Sequence, residues 1–319
     1  MDHLAIADRR QLRRKLGFWR IVSIALILCA GIAAYVYSRA EQTGALSRPH
    51  IARVHISGII QDDSELLERL DRIAEASAVK ALVVTITSPG GTTYGGEVLF
   101  KAIRKVAAKK PVVADIRTLA ASAGYIIALA GDRIIAGETS ITGSIGVLFQ
   151  YPQIKTLLDK VGVSLEEIKS APLKAEPSPF HPPSDAAKAV IQAMIDESLN
   201  WFVDLVADRR KMPRGEALQL ADGRIFTGRQ ALKLKLVDEL GGDEEIRAFL
   251  SGRKVAKDLE FVEWKAPSTS LPFGLGSAAA AWLKSLGYEA FPLLGNLEKM
   301  GREKLFLDGL VSVWQVGSD

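Results

Sequence analysis

The stretch Ala81-Leu-Val-Val-Thr-Ile86 has one hydroxyl in six residues. A half-exposed strand alternates polar and apolar positions. This one has no polar face for water and must be covered on both sides. It therefore predicts an interior strand of a largely parallel sheet carrying helices. The flanking sequence agrees. Ile51 to Ile60 alternates as a strand, and Ser64 to Glu75 puts Leu66, Leu67, Leu70 and Ile73 on one helical face, with Ser64 near the N-cap. A turn at Ser88-Pro-Gly-Gly91 leads into a helix from about Gly96 to Ala108. Pro111 to Ile116 reads as a strand, followed by a helix from Ser122 to about Leu129. A short strand over Arg133–Ala136, the segment Thr142-Gly-Ser-Ile-Gly-Val147 and a helix over Ile154–Val161 come next. Five prolines make 171–183 an extended loop. A long helix then runs from Ser184 to about Lys211, where Pro213 stops it, and a last strand lies near Leu259–Trp264. Recurring strand–turn–helix units place the chain in the α/β class.

The N-terminus is of another kind. Ile21 to Tyr37 is a run of 17 uncharged residues, about 26 Å as a helix, near the lower limit for crossing a bilayer. Trp19, Tyr35 and Tyr37 suit its interfaces, and Arg20 and Arg39 can reach the headgroups. Of 41 basic and 37 acidic residues, six and two lie in residues 1–20, leaving 35 of each sign in the remainder. The body is thus neutral and offers no basic footprint for nucleic acid. The basic leader puts residues 1–20 in the cytoplasm and everything beyond about Arg39 outside. Ser38-Arg-Ala40 loosely fits a leader cleavage site, but the length of the run and the nearby tyrosines favour a retained anchor. The expected organisation is a basic N-terminus (1–20), a transmembrane helix (21–37), a linker (38–50), a globular domain (51–265) and a C-terminal arm (266–319). Cys29, the one cysteine, falls inside the apolar run and reads as an apolar filler; no pair of the four histidines has metal-ligand spacing. No cofactor or metal is expected.

Ser122 stands in Leu119-Ala-Ala-Ser-Ala-Gly-Tyr125, near the start of a helix whose unpaired N–H groups favour negative charge. Its small neighbours leave room for a peptide backbone. They suit a packed helix equally well. The Gly90-Gly91 pair allows close backbone approach and an N–H donor to an oxyanion. For a base, His3, His50 and His55 are poorly placed, and His181 in the proline-rich loop is the one serious histidine. A lysine can serve where burial favours its neutral amine. Lys174, in Ala171-Pro-Leu-Lys-Ala175, has the apolar setting this needs. Lys169 is the runner-up, and carboxylates beside it would raise its pKa.

These segments in this order resemble the bacterial signal peptide peptidases of the SppA type, membrane-associated serine peptidases of the Clp/crotonase fold. The resemblance runs from about Arg53 to Gly242 and also takes in Ile168-Lys-Ser170, Ala221-Asp-Gly-Arg224 and Leu236-Val-Asp-Glu-Leu-Gly-Gly242. It implies a core of repeated β-β-α units, with Ser122 as nucleophile, Lys174 as general base and Ser144 orienting the lysine amine. It implies an oxyanion hole from the N–H groups of Gly91 and Ala123, with Gly90 as a further candidate. Family members cut signal peptides left in the membrane and assemble as rings, some with the site built across a subunit boundary. The resemblance thus implies a bacterial inner-membrane peptidase with a periplasmic catalytic domain, hydrophobic peptide substrates and a homo-oligomeric ring. Two departures are visible. Ala171 and Ala175 replace the usual glycine and acidic residue around the base, with Glu176 one place later, and Ser-Ala-Gly replaces the usual Ser-Gly-Gly. Two other readings compete: an inactive membrane scaffold of the same fold, which the intact Ser122 and Lys174 disfavour, and an acyl-CoA enzyme, which an exported domain disfavours.

Overall fold

The computed structural model describes residues 48–265 and 311–313, together with Trp19 and Val22. Apart from Val22, the apolar run 21–37 lies outside the described residues, as does most of the arm. Among the described residues no helix is long and apolar enough to cross a membrane.

The strands are β1 (His50–Ile60), β2 (Val79–Thr92), β3 (Val112–Ala121), β4 (Arg133–Ala136), β5 (Ile141–Gly143), β6 (Ile225–Thr227), β7 (Glu239–Leu240), β8 (Phe261–Glu263) and β9 (Val311–Val313). The helices are α1 (Ser64–Glu75), α2 (Thr93–Ala107), α3 (Ala123–Ala128), α4 (Lys155–Val161), α5 (Asp185–Arg210), α6 (Arg214–Gln219), α7 (Gly228–Lys233) and α8 (Asp243–Gly252). Strand and helix alternate singly through the first three units; two strands precede a helix only at β4, β5 and α4. All strands belong to one mixed sheet of order β6-β5-β3-β2-β1-β8, with β4 beside β3, β7 beside β4 and β9 beside β2. Pairing is parallel except at β5–β6 and β2–β9.

The apolar run Ala81–Ile86 is buried on both faces. Leu82, Val84 and Ile86 join one core cluster with Leu70 and Ile73 of α1, Leu99 and Ile103 of α2, and Phe202 of α5. Ala81 and Val83 point the other way, to Val113, Ile135 and to Ile246 and Leu250 of α8. Each such valine, leucine, isoleucine or phenylalanine side chain contributes about 1.5–3 kcal/mol by leaving water.

Three local expectations are corrected. His50, read as linker, begins β1 and is buried, its Nε2 accepting from Trp264 Nε1 at 3.0 Å. Asp63, not Ser64, caps α1, its carboxylate accepting from the Leu66 N–H at 2.9 Å. Ser88–Gly91 is not a turn: β2 runs through it to Thr92, because partners on both sides pair with it, Gly90 taking a positive φ within the strand. The arm, set apart at residue 266 by the sequence, supplies β9 to the sheet.

Helix α5 is held chiefly at its C-terminal end, with the small Ala187 also buried in its first turn. Phe202, Val203 and Val206 are buried. Arg209 donates to the Leu129 and Gly131 carbonyls at 2.8 and 2.9 Å, and Arg210 pairs with Asp238 at 2.7 Å. Towards its N-terminus Val190 and Met194 are exposed. Helix α3 is pinned from within by Tyr125, whose buried hydroxyl donates to the Leu236 carbonyl at 2.7 Å. Burial pushes the phenol's pKa strongly up, so it remains a donor throughout the ordinary pH range. Tyr125→Phe leaves that carbonyl without its donor. We expect a loss of about 1–2 kcal/mol, read as a lower urea midpoint at unchanged slope.

Candidate active site

Strand β3 serves two neighbours in turn. Val113–Ile116 pair with β4, and Leu119–Ala121 pair with β5. One more ladder bond follows, from the Ser122 N–H to the Gly143 carbonyl at 2.8 Å. The chain then folds at once into α3, with the Ser122 carbonyl accepting from Tyr125 and Ile126 at 2.9 and 3.0 Å. Sheet bonding on one side and helix bonding on the other force Ser122 into φ 58°, ψ −118°, a region natural only to glycine. The residue is 1% exposed. A serine is thus held at a sharp strand-to-helix hinge, with the N–H groups of the first helical turn beyond it.

The small neighbours have a steric reason. A side chain at Gly124 would stand 3.0 Å from the Ser88 carbonyl, and one at Gly96 would press on Ala123 at 3.3 Å. Ala123 itself has no positive φ, so alanine is accommodated where the resembling family carries glycine.

Ser144 lies one residue beyond the same ladder, since Ala121 faces Gly143 across β3–β5. It is buried at φ 49°, and its N–H donates to the Arg224 carbonyl at 2.8 Å. Ser122 and Ser144 therefore leave adjacent strands at the same level.

The glycine pair forms the third side. Gly90 has φ 120°, and its N–H is committed to Ser88 Oγ at 3.1 Å. Ser88 Oγ in turn donates to the Gly58 carbonyl at 2.7 Å. Gly90 is therefore a poor oxyanion donor. Gly91 must be glycine, because a Cβ there would stand 1.9 Å from the Ile60 carbonyl oxygen. The buried Ser88, which holds this edge, was not singled out from the sequence. Its signal was its place directly before Pro-Gly-Gly.

Lys174 does not share the burial of this group. It is exposed, in the turn Ser170–Ala175, where its N–H donates to the Ala171 carbonyl at 3.0 Å. Its ammonium makes no hydrogen bond or ion pair among the described residues. The apolar setting read from sequence is not closed around it: Leu165, Ile168 and Leu173 are themselves exposed. The turn is held instead by ions. Lys169 Nζ lies 2.6 Å from Glu167 and 2.8 Å from Glu176, and His181 Nε2 is 3.4 Å from that same nitrogen. Hydrogen bonds to the two carboxylates, that to Glu167 first, raise the Lys169 pKa and disqualify it as a neutral base. The hydrogen bond from Lys169 lowers both glutamates in turn. His181 belongs to this clamp. Ala175, at φ 60°, makes the bend that brings Glu176 back to Lys169.

The model of peptidase family S49 matches residues 104–256. The chain is 33% identical to a candidate signal peptide peptidase SppA of Enterococcus faecium, over 80% of this chain and 78% of that protein. It is 38% identical to a candidate protease of Synechocystis over 63% and 73% of the two chains. A chloroplast serine protease, SPPA of Arabidopsis thaliana, is 31% identical over 67% of this chain and 33% of its own length.

Two outcomes test the geometry. Ser122→Gly and Ser122→Ala both remove the hydroxyl, but only glycine relieves the backbone. The glycine variant should be more stable by about 1 kcal/mol in denaturant unfolding. The clamp should be pH-dependent in a set direction. The lowered glutamates stabilise the turn above their ordinary range near pH ~4.3 and stop doing so as pH falls through their folded values. Lys169, being raised, contributes until pH rises past the ordinary lysine value. Hydrogen exchange corrected for its intrinsic rate should show residues 168–181 losing protection on acidification below about pH 4. Glu176→Gln should show the same loss at neutral pH.

Proposed function

Because the chain belongs to peptidase family S49, as an SppA-type serine peptidase, we propose that it is a membrane-anchored endopeptidase cutting hydrophobic peptides, remnant signal peptides among them. The observation that carries this reading is Ser122, held in a glycine-like backbone at the start of α3 beside the Gly91 edge. In this reading Ser122 Oγ attacks the scissile carbonyl and passes its proton to the Lys174 amine, which Ser144 Oγ orients. The N–H groups of Gly91 and Ala123 stabilise the oxyanion. Lys174 returns the proton to the leaving amine as the C–N bond breaks, and water then hydrolyses the acyl-enzyme with Lys174 again as base.

An exposed Lys174 is a poor base, so this chemistry asks for a cover. Exposed Leu165, Ile168 and Leu173 in the same stretch support self-association, in which a neighbouring copy desolvates the lysine. We read the assembly as a homo-oligomeric ring with a Clp/crotonase-like core. Residues 21–37 anchor it in a bacterial inner membrane and the catalytic part faces outward. Anchoring raises the local concentration of membrane-embedded peptide without new contacts.

The test is cleavage of a synthetic leader-like peptide in detergent. Wild type should cut it, while Ser122→Ala and Lys174→Met should each lose about 10³-fold or more in kcat/KM with assembly unchanged. Persistent cleavage by Ser122→Ala would remove the nucleophile assignment. No cleavage by wild type across several such peptides would move the reading to a membrane scaffold.

A further inference from the structure

Strand β2 loses register with both neighbours at one place. Against β1, Ser57 faces Thr87 and Ile59 faces Gly90, so two steps along β1 meet three along β2. Against β3, Ile86 faces Ile116 and Ser88 faces Ala120, so there the surplus is on β3. The first slip is a bulge in a parallel pair, made by Ser88 and Pro89 opposite Gly58, which bends to φ 71°. A bulge leaves backbone groups without ladder partners, and Pro89 has no N–H to offer. The buried Ser88 hydroxyl makes good the loss. Ser88 Oγ donates to the Gly58 carbonyl at 2.7 Å and accepts from the Gly90 N–H at 3.1 Å. One hydroxyl thus joins β1 to β2 across the bulge. It also holds Gly90, at φ 120°, directly before Gly91.

Ser88 touches the other side of the candidate site as well. A Cβ at Gly124 would stand 3.0 Å from the Ser88 carbonyl oxygen and 3.5 Å from the Ser88 Cβ, so the first turn of α3 packs on this serine. Of the two N–H groups assigned to the oxyanion, that of Gly91 follows Ser88 along β2, and that of Ala123 directly precedes Gly124. Ser88 is fixed to both. We propose that Ser88 is a positioning residue for the oxyanion hole. Its hydroxyl locks the bulge, and the bulge sets the Gly91 N–H at its distance from that of Ala123. The hydroxyl is committed to Gly58 and Gly90, so it acts through the backbone and not on the substrate. The identity of the donors rests on the peptidase reading. The hydroxyl bridge does not. Such donors act on charge that develops in the transition state, so displacing one lowers kcat and leaves KM nearly unchanged.

Ser88→Ala removes the bridge. Two further variants separate positioning from packing. Ser88→Cys keeps a similar shape with a weak donor and acceptor, and Ile246→Val trims a buried side chain of the other core cluster. The first measurement needs no activity. In hydrogen exchange of the full chain in detergent, residues 88–92 of Ser88→Ala should exchange about tenfold faster than wild type, with β4 unchanged. An unchanged rate overturns the proposal. The second measurement is cleavage of a leader-like peptide. Ser88→Ala should lose about 10²-fold in kcat, the scale of one oxyanion donor, with KM within about twofold. Ser88→Cys should fall between, and Ile246→Val should keep the wild-type kcat. A leader-like peptide aldehyde, which gains a tetrahedral oxygen when Ser122 Oγ adds to it, should bind Ser88→Ala more weakly by the same factor. Wild-type kcat in Ser88→Ala, a loss carried by KM alone, or an equal loss in Ile246→Val overturns the proposal. No cleavage by wild type removes the peptidase reading and the oxyanion role with it, while faster exchange in Ser88→Ala would still show the bridge.

Discussion

One backbone hydrogen bond, from the Ser122 N–H to the Gly143 carbonyl, decides where sheet ends and site begins. Because β3 must satisfy β4 over its first half and β5 over its last three residues, it stays extended through Ala121. Because Tyr125 is tied to the Leu236 carbonyl, α3 must already have started at Ala123. A single residue is left to make the turn, and all of the backbone strain falls on it. Elements distant in sequence thus cooperate to hold one serine in a conformation it would not choose. Strain of this kind survives only where the surroundings over-determine it.

The two halves of the candidate site are held by different forces. The Ser122 side rests on buried packing, on main-chain bonds, and on the Ser88 hydroxyl, which donates to the Gly58 carbonyl and accepts from the Gly90 N–H. Salt has little purchase there. The Lys174 side is a surface turn tied by one lysine between two glutamates. These pairs are partly buried, with the Glu176 side chain 8% exposed and that of Lys169 19%, so salt screens them only in part. The candidate nucleophile is therefore rigidly held, and the candidate base stands on the half that is left open to solvent.

What the sequence disclosed follows the same division. The interior strands were legible because burial on both faces leaves no polar alternation, as at Ala81–Ile86. The Ser122 hinge was legible because its steric demands leave only small residues around it. Ser88–Gly91 was misread because Pro-Gly-Gly is turn chemistry locally, while pairing on both sides of β2 overrides it. His50 gave no sign, since its partner Trp264 lies 214 residues away. The apolar neighbours of Lys174 report what adjoins it along the chain, not what covers it in space. β9 consists of three residues, Val-Ser-Val, too few for any periodicity to show.

Helix α5 has a mechanical consequence. Its 26 residues span about 39 Å, yet the large buried side chains Phe202, Val203 and Val206 and the arginine bonds lie in its last third, with the small Ala187 and Ser198 buried before them. Such a rod is a cantilever. Small rotations at the anchored end, where it touches the Leu129 and Gly131 carbonyls just after α3, become large displacements at the tip. That tip is joined directly, through Ser184, to the proline-rich loop following Lys174. Motion at the tip would therefore be felt by the lysine turn sooner than by the serine hinge.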